Sequence, residues 1–226
     1  MRKYSTIFFD LDDTILDFAA SEKNAIKKVL KKFDLPFDDE TVSLYSKINL
    51  IYWKKFENGE IEKSEIYVNR FITFLDEIGA VRDAQDMCEN YFSMLSLEHP
   101  FIEGAFEVLK ELKLRGYKIC ITTNGYSSTQ YRRIKEAGLN EITDFVVVSE
   151  DAGFQKPDKG YFEFAMKKCG ELNPRDILVI GDSQSSDILG AQNAEMDSCW
   201  FNPKHEEPLY KSKYEIDSIS KILDIL

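Results

Sequence analysis

Four short hydrophobic runs, rich in β-branched and aromatic residues, stand out along this chain of 226 residues. They are TIFFD (6–10), KICITTNG (118–125), DFVVVSE (144–150) and DILVIGD (176–182). Their hydrophobicity is nearly continuous rather than alternating, which is typical of strands covered on both faces of a parallel sheet. Segments with helical periodicity precede the last three runs, and DSCWF and YEIDS would add strands at the sheet edge. This alternation predicts a doubly wound α/β fold with a parallel sheet.

The region between the first two runs has a different pattern. Across residues 17–98, hydrophobic residues recur at spacings of three and four, and there is hardly any strand signal. An ordinary connection in an α/β core is much shorter, at about 2–6 residues beside one helix. We therefore expect residues 17–98 to form an inserted helical cap domain that closes over a substrate. Residues 1–16 and 99–226 would form the α/β catalytic core.

Charge and composition narrow the range of partners. The 40 acidic and 29 basic residues give a formal net charge of -11, which disfavours binding to nucleic acid polymers or to anionic membrane surfaces. Every hydrophobic run is interrupted well before the roughly 20 residues that a membrane span needs. The four scattered cysteines are expected to be reduced structural thiols. We expect a cytoplasmic protein that acts on a small molecule, and the oligomeric state stays open.

Each of the four hydrophobic runs ends in residues that can take part in chemistry. These residues are Asp10, Thr123 with Asn124, Ser149 with Glu150, and Asp182. In an open parallel sheet the ligand lies beyond the carboxyl ends of the strands, so these positions are expected to converge. Lys156, in the pair Lys156–Pro157 after the third run, can reach the same edge.

The stretch IFFDLDDT places three carboxylates, Asp10, Asp12 and Asp13, within four residues. Like charges held this close raise one another's pKa or require a cation, which indicates a metal site or a proton-transfer step. Along an extended backbone Asp12 would point to the same side as Asp10, and Asp13 to the other. The chain has only two histidines and no G-x-S-x-G motif, so a histidine-rich zinc hydrolase or a serine esterase is disfavoured.

Four motifs resemble those of the haloacid dehalogenase (HAD) superfamily of phosphohydrolases: DLDDT (10–14), TTNG (122–125), KPD (156–158) and GDSQSSD (181–187). The resemblance extends over essentially the whole chain, including the helical cap, and implies a Rossmann-like core. One departure is Asp13, which stands where the usual pattern has glycine.

The resemblance implies a role for each matching residue. Asp10 would be the nucleophile and Asp12 the general acid/base. Phosphate would be bound by Thr123, Asn124 and Lys156. The implied cofactor is Mg²⁺, held at a site that includes Asp10, Asp12, Asp182 and Asp187. Such a reaction is physically reasonable, because a carboxylate that attacks phosphorus divides one difficult hydrolysis into two easier steps.

Two other protein classes share part of this pattern with a magnesium-dependent phosphatase, and the type of phosphatase has alternatives of its own. A receiver-like signalling domain also uses a phosphorylated aspartate, but it places its acid pair on the first strand and the phosphorylated aspartate on a later one, and it has no large cap. A haloacid dehalogenase would use Asp10 to attack carbon, but it has no acid at the position of Asp12. Phosphoglycolate and small sugar-phosphate phosphatases share much of the same framework, so they stay open.

Among phosphatases, the stretches NGYSSTQYRRIKEAGL, SEDAGFQKPDKGYFEFA and INLIYWKKFENGEI look most like the housecleaning pyrimidine 5'-nucleotidase branch. This resemblance implies pyrimidine nucleoside 5'-monophosphates as substrates. In the cap, Trp53 could stack on a base and Asn49 could bind a polar edge, which makes both candidates for substrate specificity.

Overall fold

A computed structural model of the protein describes residues 3–226. The chain divides into two compact units, one formed by the segment up to Phe18 together with His99–Leu226 and the other by Ala19–Glu98. Among the described residues, no helix combines the length and the hydrophobicity that crossing a membrane would require. All four cysteines are buried free thiols, as predicted.

The larger unit contains a six-stranded sheet in which every neighbouring pair is parallel. The strands are β1 (Thr6–Asp10), β2 (Lys118–Thr123), β3 (Phe145–Val148), β4 (Ile177–Gly181), β5 (Asp197–Phe201) and β6 (Tyr214–Ile216). Their order, β3-β2-β1-β4-β5-β6, is that of a doubly wound sheet. The predicted α/β class is confirmed, and the two runs assigned to the sheet edge form β5 and β6.

Helices cover both faces of this sheet. They are α5 (Ala105–Leu114), α6 (Ser127–Glu136), α7 (Ser149–Ala152), α8 (Lys159–Cys169), α9 (Leu189–Asn193) and α10 (Ile222–Ile225). Within β1, Ile7 and Phe9 join a core cluster that includes residues of α5, whereas Phe8 joins a second cluster that includes residues of α8. Successive side chains of a strand point to opposite faces, so a strand buried on both sides needs a continuous hydrophobic run.

The smaller unit is helical. Its helices are α1 (Phe18–Lys32), α2 (Asp39–Glu57), α3 (Lys63–Glu77) and α4 (Ala84–Leu95), with α1 beginning at the last residue of the larger unit. The carboxylates of Asp38 and Asp83 accept hydrogen bonds from backbone N–H groups in the first turns of α2 and α4. Aromatic side chains pack at the centre, with the rings of Tyr45 and Phe71 5.1 Å apart.

The strand order alone indicates where a ligand would bind. β1 is paired with β2 on one side and with β4 on the other. Along the chain, β2 and β3 extend the sheet on one side of β1, and β4, β5 and β6 then extend it on the other side. Ligands of open α/β sheets bind beyond the carboxyl ends of the strands at this point of reversal. Asp10 is the last residue of β1.

Replacing a fully buried leucine of β4 should destabilise the protein far more than replacing an exposed one. Leu178 is 0% exposed and belongs to the core cluster that covers one face of the sheet, whereas Leu172 is 95% exposed. We expect Leu178→Ala to lower the free energy of unfolding by about 2–5 kcal/mol because it leaves a cavity. The matched control Leu172→Ala should change it by less than about 0.5 kcal/mol. Urea denaturation measures both, and equal effects would contradict the assigned core.

Candidate active site

The predicted chemical residues gather at the carboxyl ends of the central strands. Asp10 ends β1, Thr123 ends β2, and Asp182 directly follows Gly181, the last residue of β4. Asp187 lies in the π-helical turn Gln184–Ile188 that follows β4. Residues up to 177 positions apart in sequence therefore meet at one edge of the sheet, because parallel strands bring their carboxyl ends together.

Three carboxylates form the centre of the site. Asp10, Asp182 and Asp187 each offer an oxygen atom within 4.8 Å of the others. Glycine at position 181 makes this approach possible, because a Cβ there would lie 2.2 Å from Oδ2 of Asp187. The backbone N–H of Ser183 donates to the same oxygen over 3.2 Å and helps to fix the carboxylate.

A buried lysine bridges two of these carboxylates. The Nζ atom of Lys156 donates to Oδ1 of Asp10 at 2.5 Å and to Oδ1 of Asp187 at 2.7 Å. It also lies 3.3 Å from the carbonyl oxygen of Thr122, so its three protons all have acceptors. A buried ammonium group that is hydrogen-bonded to two carboxylates and a carbonyl offsets part of the negative charge at this edge.

The electrostatics of the cluster favour proton uptake or cation binding. Burial raises the pKa of Asp10 well above its usual value, with Lys156 opposing the rise and Asp187 adding to it. Burial and the neighbouring carboxylate of Asp10 raise the pKa of Asp182 in the same way. Burial would lower the pKa of Lys156, but Asp10 and Asp187 outweigh it, so this pKa is raised and the group stays cationic.

The donor set of the cluster fits a hard divalent cation. Three carboxylates face one ammonium group, which leaves an excess of negative charge when all of them are ionised. Oxygen ligands are those preferred by Mg²⁺ and Ca²⁺. Asp10, Asp182 and Asp187 are therefore residues that could hold a metal ion. The side chain of Asp12 is hydrogen-bonded to Gln130 and Arg133, and its predicted place in the metal site stays a prediction.

Thr123 is prepared to donate a hydrogen bond. Its Oγ1 atom accepts from the backbone N–H of Gly125 at 3.0 Å and from Nε2 of Gln130 at 2.9 Å. A hydroxyl has two lone pairs and one proton, so these two bonds leave its O–H for an acceptor such as a phosphoryl oxygen.

Asn124 holds the loop that carries Lys156. Its Nδ2 atom donates to the carbonyl oxygen of Lys156, and its Oδ1 atom accepts from the backbone N–H of Lys156, both at 2.9 Å. Because both ends of the amide are engaged by protein, the side chain is a positioning group for the lysine. The predicted phosphate contact of Asn124 stays a prediction.

Asp12 is held by two side chains from α6 that the sequence reasoning missed. Nε2 of Gln130 donates to Oδ2 of Asp12 at 2.6 Å, and Nη1 of Arg133 donates to Oδ1. The sequence carried one signal for them, since Gln130 and Arg133 are polar residues on the buried face of an amphipathic helix. Asp13, whose φ is 56°, instead accepts a hydrogen bond from the backbone N–H of Phe18 at 2.9 Å.

The two predicted specificity residues lie on α2 of the helical unit. Asn49 is buried, its amide donates to Glu22, and its Oδ1 atom accepts from Nη1 of Arg70 at 2.6 Å. This bonding favours a structural role within the helical unit over substrate contact. Trp53 is half-buried and packs edge-to-face on Phe56 with the ring centroids 5.8 Å apart. The specificity role of both residues stays a prediction.

Chemically, the site combines a buried carboxylate, a second carboxylate two residues on, a buried cation and a hydroxyl donor. This set can support attack by a carboxylate oxygen of Asp10 on the electrophilic atom of an anionic group. The positive charge of Lys156 can offset the negative charge of that group.

Comparison with known proteins places the chain in a family. A model described as haloacid dehalogenase-like hydrolase matches residues 7–201. The chain is 36% identical over 228 residues to YfnB of Bacillus subtilis, assigned as a HAD-hydrolase, covering 100% of this chain and 97% of YfnB. A crystal structure of YfnB bound to magnesium, which reveals interdomain movement, superposes with a TM-score of 0.94 and covers 100% of this chain and 99% of that one.

Two further relatives carry specific activities in their names. The pyrimidine 5'-nucleotidase PynA of Streptococcus pneumoniae is 32% identical over 225 residues, 99% of this chain and 95% of its own. A glyceraldehyde 3-phosphate phosphatase of Methanothermobacter thermautotrophicus is 28% identical over 230 residues, 97% of this chain and 98% of its own. The four motifs at one sheet edge and the matched length agree: this chain belongs to the haloacid dehalogenase-like hydrolase family.

Proposed function

We propose that the protein is a magnesium-dependent phosphomonoester hydrolase that works through an aspartyl-phosphate intermediate on Asp10. The observation that carries the proposal is the buried contact of Lys156 with both Asp10 and Asp187. An oxygen of Asp182 lies within 4.8 Å of an oxygen of each of these carboxylates. A nucleophilic carboxylate beside a fixed cation is what attack on an anionic phosphoryl group requires.

The residues divide the reaction between them. In the first step an oxygen of Asp10 bonds to phosphorus, the bond to the ester oxygen breaks, and Asp12 gives its proton to the leaving alkoxide. In the second step Asp12 takes a proton from water as the water oxygen bonds to phosphorus, and the Asp10 carboxylate leaves. Lys156 and the O–H of Thr123 neutralise the non-bridging oxygens in both steps.

The proposed metal site consists of Asp10 and Asp182 as ligands, with Asp187 next to them. When bound, Mg²⁺ would offset the repulsion between these carboxylates and the phosphoryl oxygens. The raised pKa values of Asp10 and Asp182 support this assignment, because burial and neighbouring carboxylates disfavour their ionised forms and a bound cation would favour them.

For the substrate, we propose a pyrimidine nucleoside 5'-monophosphate. The similarity to PynA supports this class, and Trp53, half-buried on α2, offers an aromatic face for a base. The second candidate is a small sugar or triose phosphate, which the similarity to the glyceraldehyde 3-phosphate phosphatase favours. Phosphoryl chemistry at Asp10 is common to both candidates.

Removing the nucleophile should abolish turnover in a protein that still folds, because Asp187 remains to pair with Lys156. Asp10→Asn keeps the shape of the side chain but cannot form an acyl phosphate, so phosphate release from any phosphomonoester should fall by about a thousandfold or more. The control Asp224→Asn, at an exposed position on α10, should match the wild type. Near wild-type activity in folded Asp10→Asn would refute the assignment.

Magnesium should stabilise the protein more at high pH than at low pH. The folded-state pKa values of Asp10 and Asp182 lie above the unfolded value of about 4. Without metal, the folded state therefore binds more protons than the unfolded state, and stability is lost as the pH rises through the raised pKa values. Magnesium competes with those protons, so the rise in Tm on adding it should be larger at about pH 8 than at about pH 5.

Two variants isolate this effect. Asp182→Asn should reduce both the pH dependence and the magnesium shift, whereas Asp224→Asn should keep both. A magnesium shift of equal size at both pH values would contradict the site, and activity that survives thorough chelation would contradict the requirement for metal.

A phosphate-release screen separates the two substrate candidates. We expect kcat/KM for dUMP, UMP and dTMP to exceed that for phosphoglycolate, glyceraldehyde 3-phosphate and hexose phosphates. Trp53→Ala should lower the preference for nucleotides while preserving Tm, and the control Lys54→Ala, at the exposed neighbour, should do neither. The reverse order of substrates would refute the nucleotidase but not the phosphatase.

A further inference from the structure

Helix α6 carries two buried polar side chains on the face that it turns toward the strand ends. Gln130 is 2% exposed and Arg133 is 0% exposed, although both residue types usually lie at the surface. Their neighbour on the same helix, Arg132, is exposed. Burying an amide and a guanidinium group is costly unless each is hydrogen-bonded, so their partners define what they do.

Arg133 fixes the orientation of the Gln130 amide. Nη1 of Arg133 lies 3.0 Å from Oε1 of Gln130, and a guanidinium group can only donate hydrogen bonds. The oxygen of the amide must therefore face Arg133, and its NH₂ group must face the other way. That NH₂ group has two protons and two acceptors within reach, one on Asp12 and one on Thr123.

The same pair of side chains holds both oxygens of Asp12. Gln130 donates to Oδ2 and Arg133 donates to Oδ1, while the Asp12 side chain keeps 27% of its surface exposed. A carboxylate fixed at both oxygens has lost most of its rotational freedom. Each of its oxygens still has a lone pair for a proton, because a carboxylate offers about four acceptor sites.

Gln130 thus contacts both the proton-transfer candidate, Asp12, and the phosphate-binding candidate, Thr123. One amide proton binds the general acid/base candidate, and the other binds the hydroxyl that is set to donate to a phosphoryl oxygen. Glycine at position 125 allows this contact, since a Cβ there would lie 2.3 Å from Nε2 of Gln130. A single side chain therefore bridges the candidate proton donor and the candidate phosphate binder.

We propose that Gln130 and Arg133 are positioning residues that hold the Asp12 carboxylate in a fixed orientation relative to the Thr123 hydroxyl for both proton transfers. This role rests on the proposed phosphomonoester hydrolysis and adds to it two residues that do not touch the substrate. Their contribution is orientation, because a proton donor that can rotate away from the ester oxygen is rarely in place when the P–O bond breaks.

The test compares two esters that differ in their need for a proton. The leaving group of a nucleoside 5'-monophosphate is the nucleoside alkoxide, which needs a proton from Asp12 in the first step. The leaving group of p-nitrophenyl phosphate is a stabilised phenolate, which needs no proton. Both esters need Asp12 in the second step, when water attacks the acyl phosphate. Arg133→Met removes the guanidinium group at similar length, and Arg132→Met makes the same change at the exposed neighbour.

We expect single-turnover cleavage of the nucleotide by Arg133→Met to fall by about tenfold to a hundredfold. Single-turnover release of p-nitrophenolate should stay within about twofold of wild type, and steady-state turnover should slow, so that a burst of up to one p-nitrophenolate per enzyme appears. Arg132→Met should behave as wild type. Should Arg133→Met fail to fold, Gln130→Met carries the same comparison, and its folding is checked by its thermal transition.

Each other outcome overturns the role. Equal losses on both esters without a burst would mean that Arg133 and Gln130 only support the fold. Unchanged cleavage of both esters would mean that Asp12 needs no support from α6. A wild-type protein that hydrolyses neither ester would refute the proposed function and this role with it, so the two failures are distinguishable.

Discussion

The buried contact of Lys156 with Asp10 and Asp187 is the interaction on which the rest of the site depends. Carboxylates at the ends of neighbouring strands repel one another where water is excluded, and a single ammonium group at 2.5 and 2.7 Å offsets much of that repulsion. Removing one partner of a buried pair of this kind typically costs about 3–5 kcal/mol, because the other charge is left uncompensated. The acidic centre and the lysine are therefore one structural unit.

Several features of the chain serve that unit. The loop that carries Lys156 is fixed by two hydrogen bonds from Asn124, at the end of β2. Gly181 lets Asp187 approach the end of β4, and the indole N–H of Trp200 on β5 holds the carbonyl of Asp182 at 2.9 Å. Residues in or next to β2, β4 and β5 thus help to position the charges.

A second charged group lies beside the first. Asp12 is two residues from Asp10 in sequence, yet its partners are Arg133 and Gln130 of α6 rather than Lys156. Two adjacent carboxylates thus have separate cations, and the difference suits different tasks. Asp10 lies in an environment that raises its pKa and calls for a cation, whereas Asp12 is held at both oxygens and stays partly exposed to exchange protons with substrate or water.

The sequence by itself determined the parts of this protein that depend on local pattern. Continuous hydrophobic runs predicted the central strands, because a strand buried on both faces cannot alternate, and helical periodicity predicted the helices of residues 17–98. Parallel strands bring their carboxyl ends together, so the gathering of Asp10, Thr123, Lys156 and Asp182 at one edge also followed from the pattern.

Only the tertiary structure decided which polar atoms pair. The engagement of Asn124 with the backbone of Lys156, the burial of Asn49 between Glu22 and Arg70, and the hold of Gln130 on Asp12 join residues 21 to 118 positions apart. No periodicity records such pairings, since they depend on side-chain directions that are fixed only once sheet and helices have packed. The sequence therefore determined where the chemistry lies, and packing decided which side chains touch and which hold others in place.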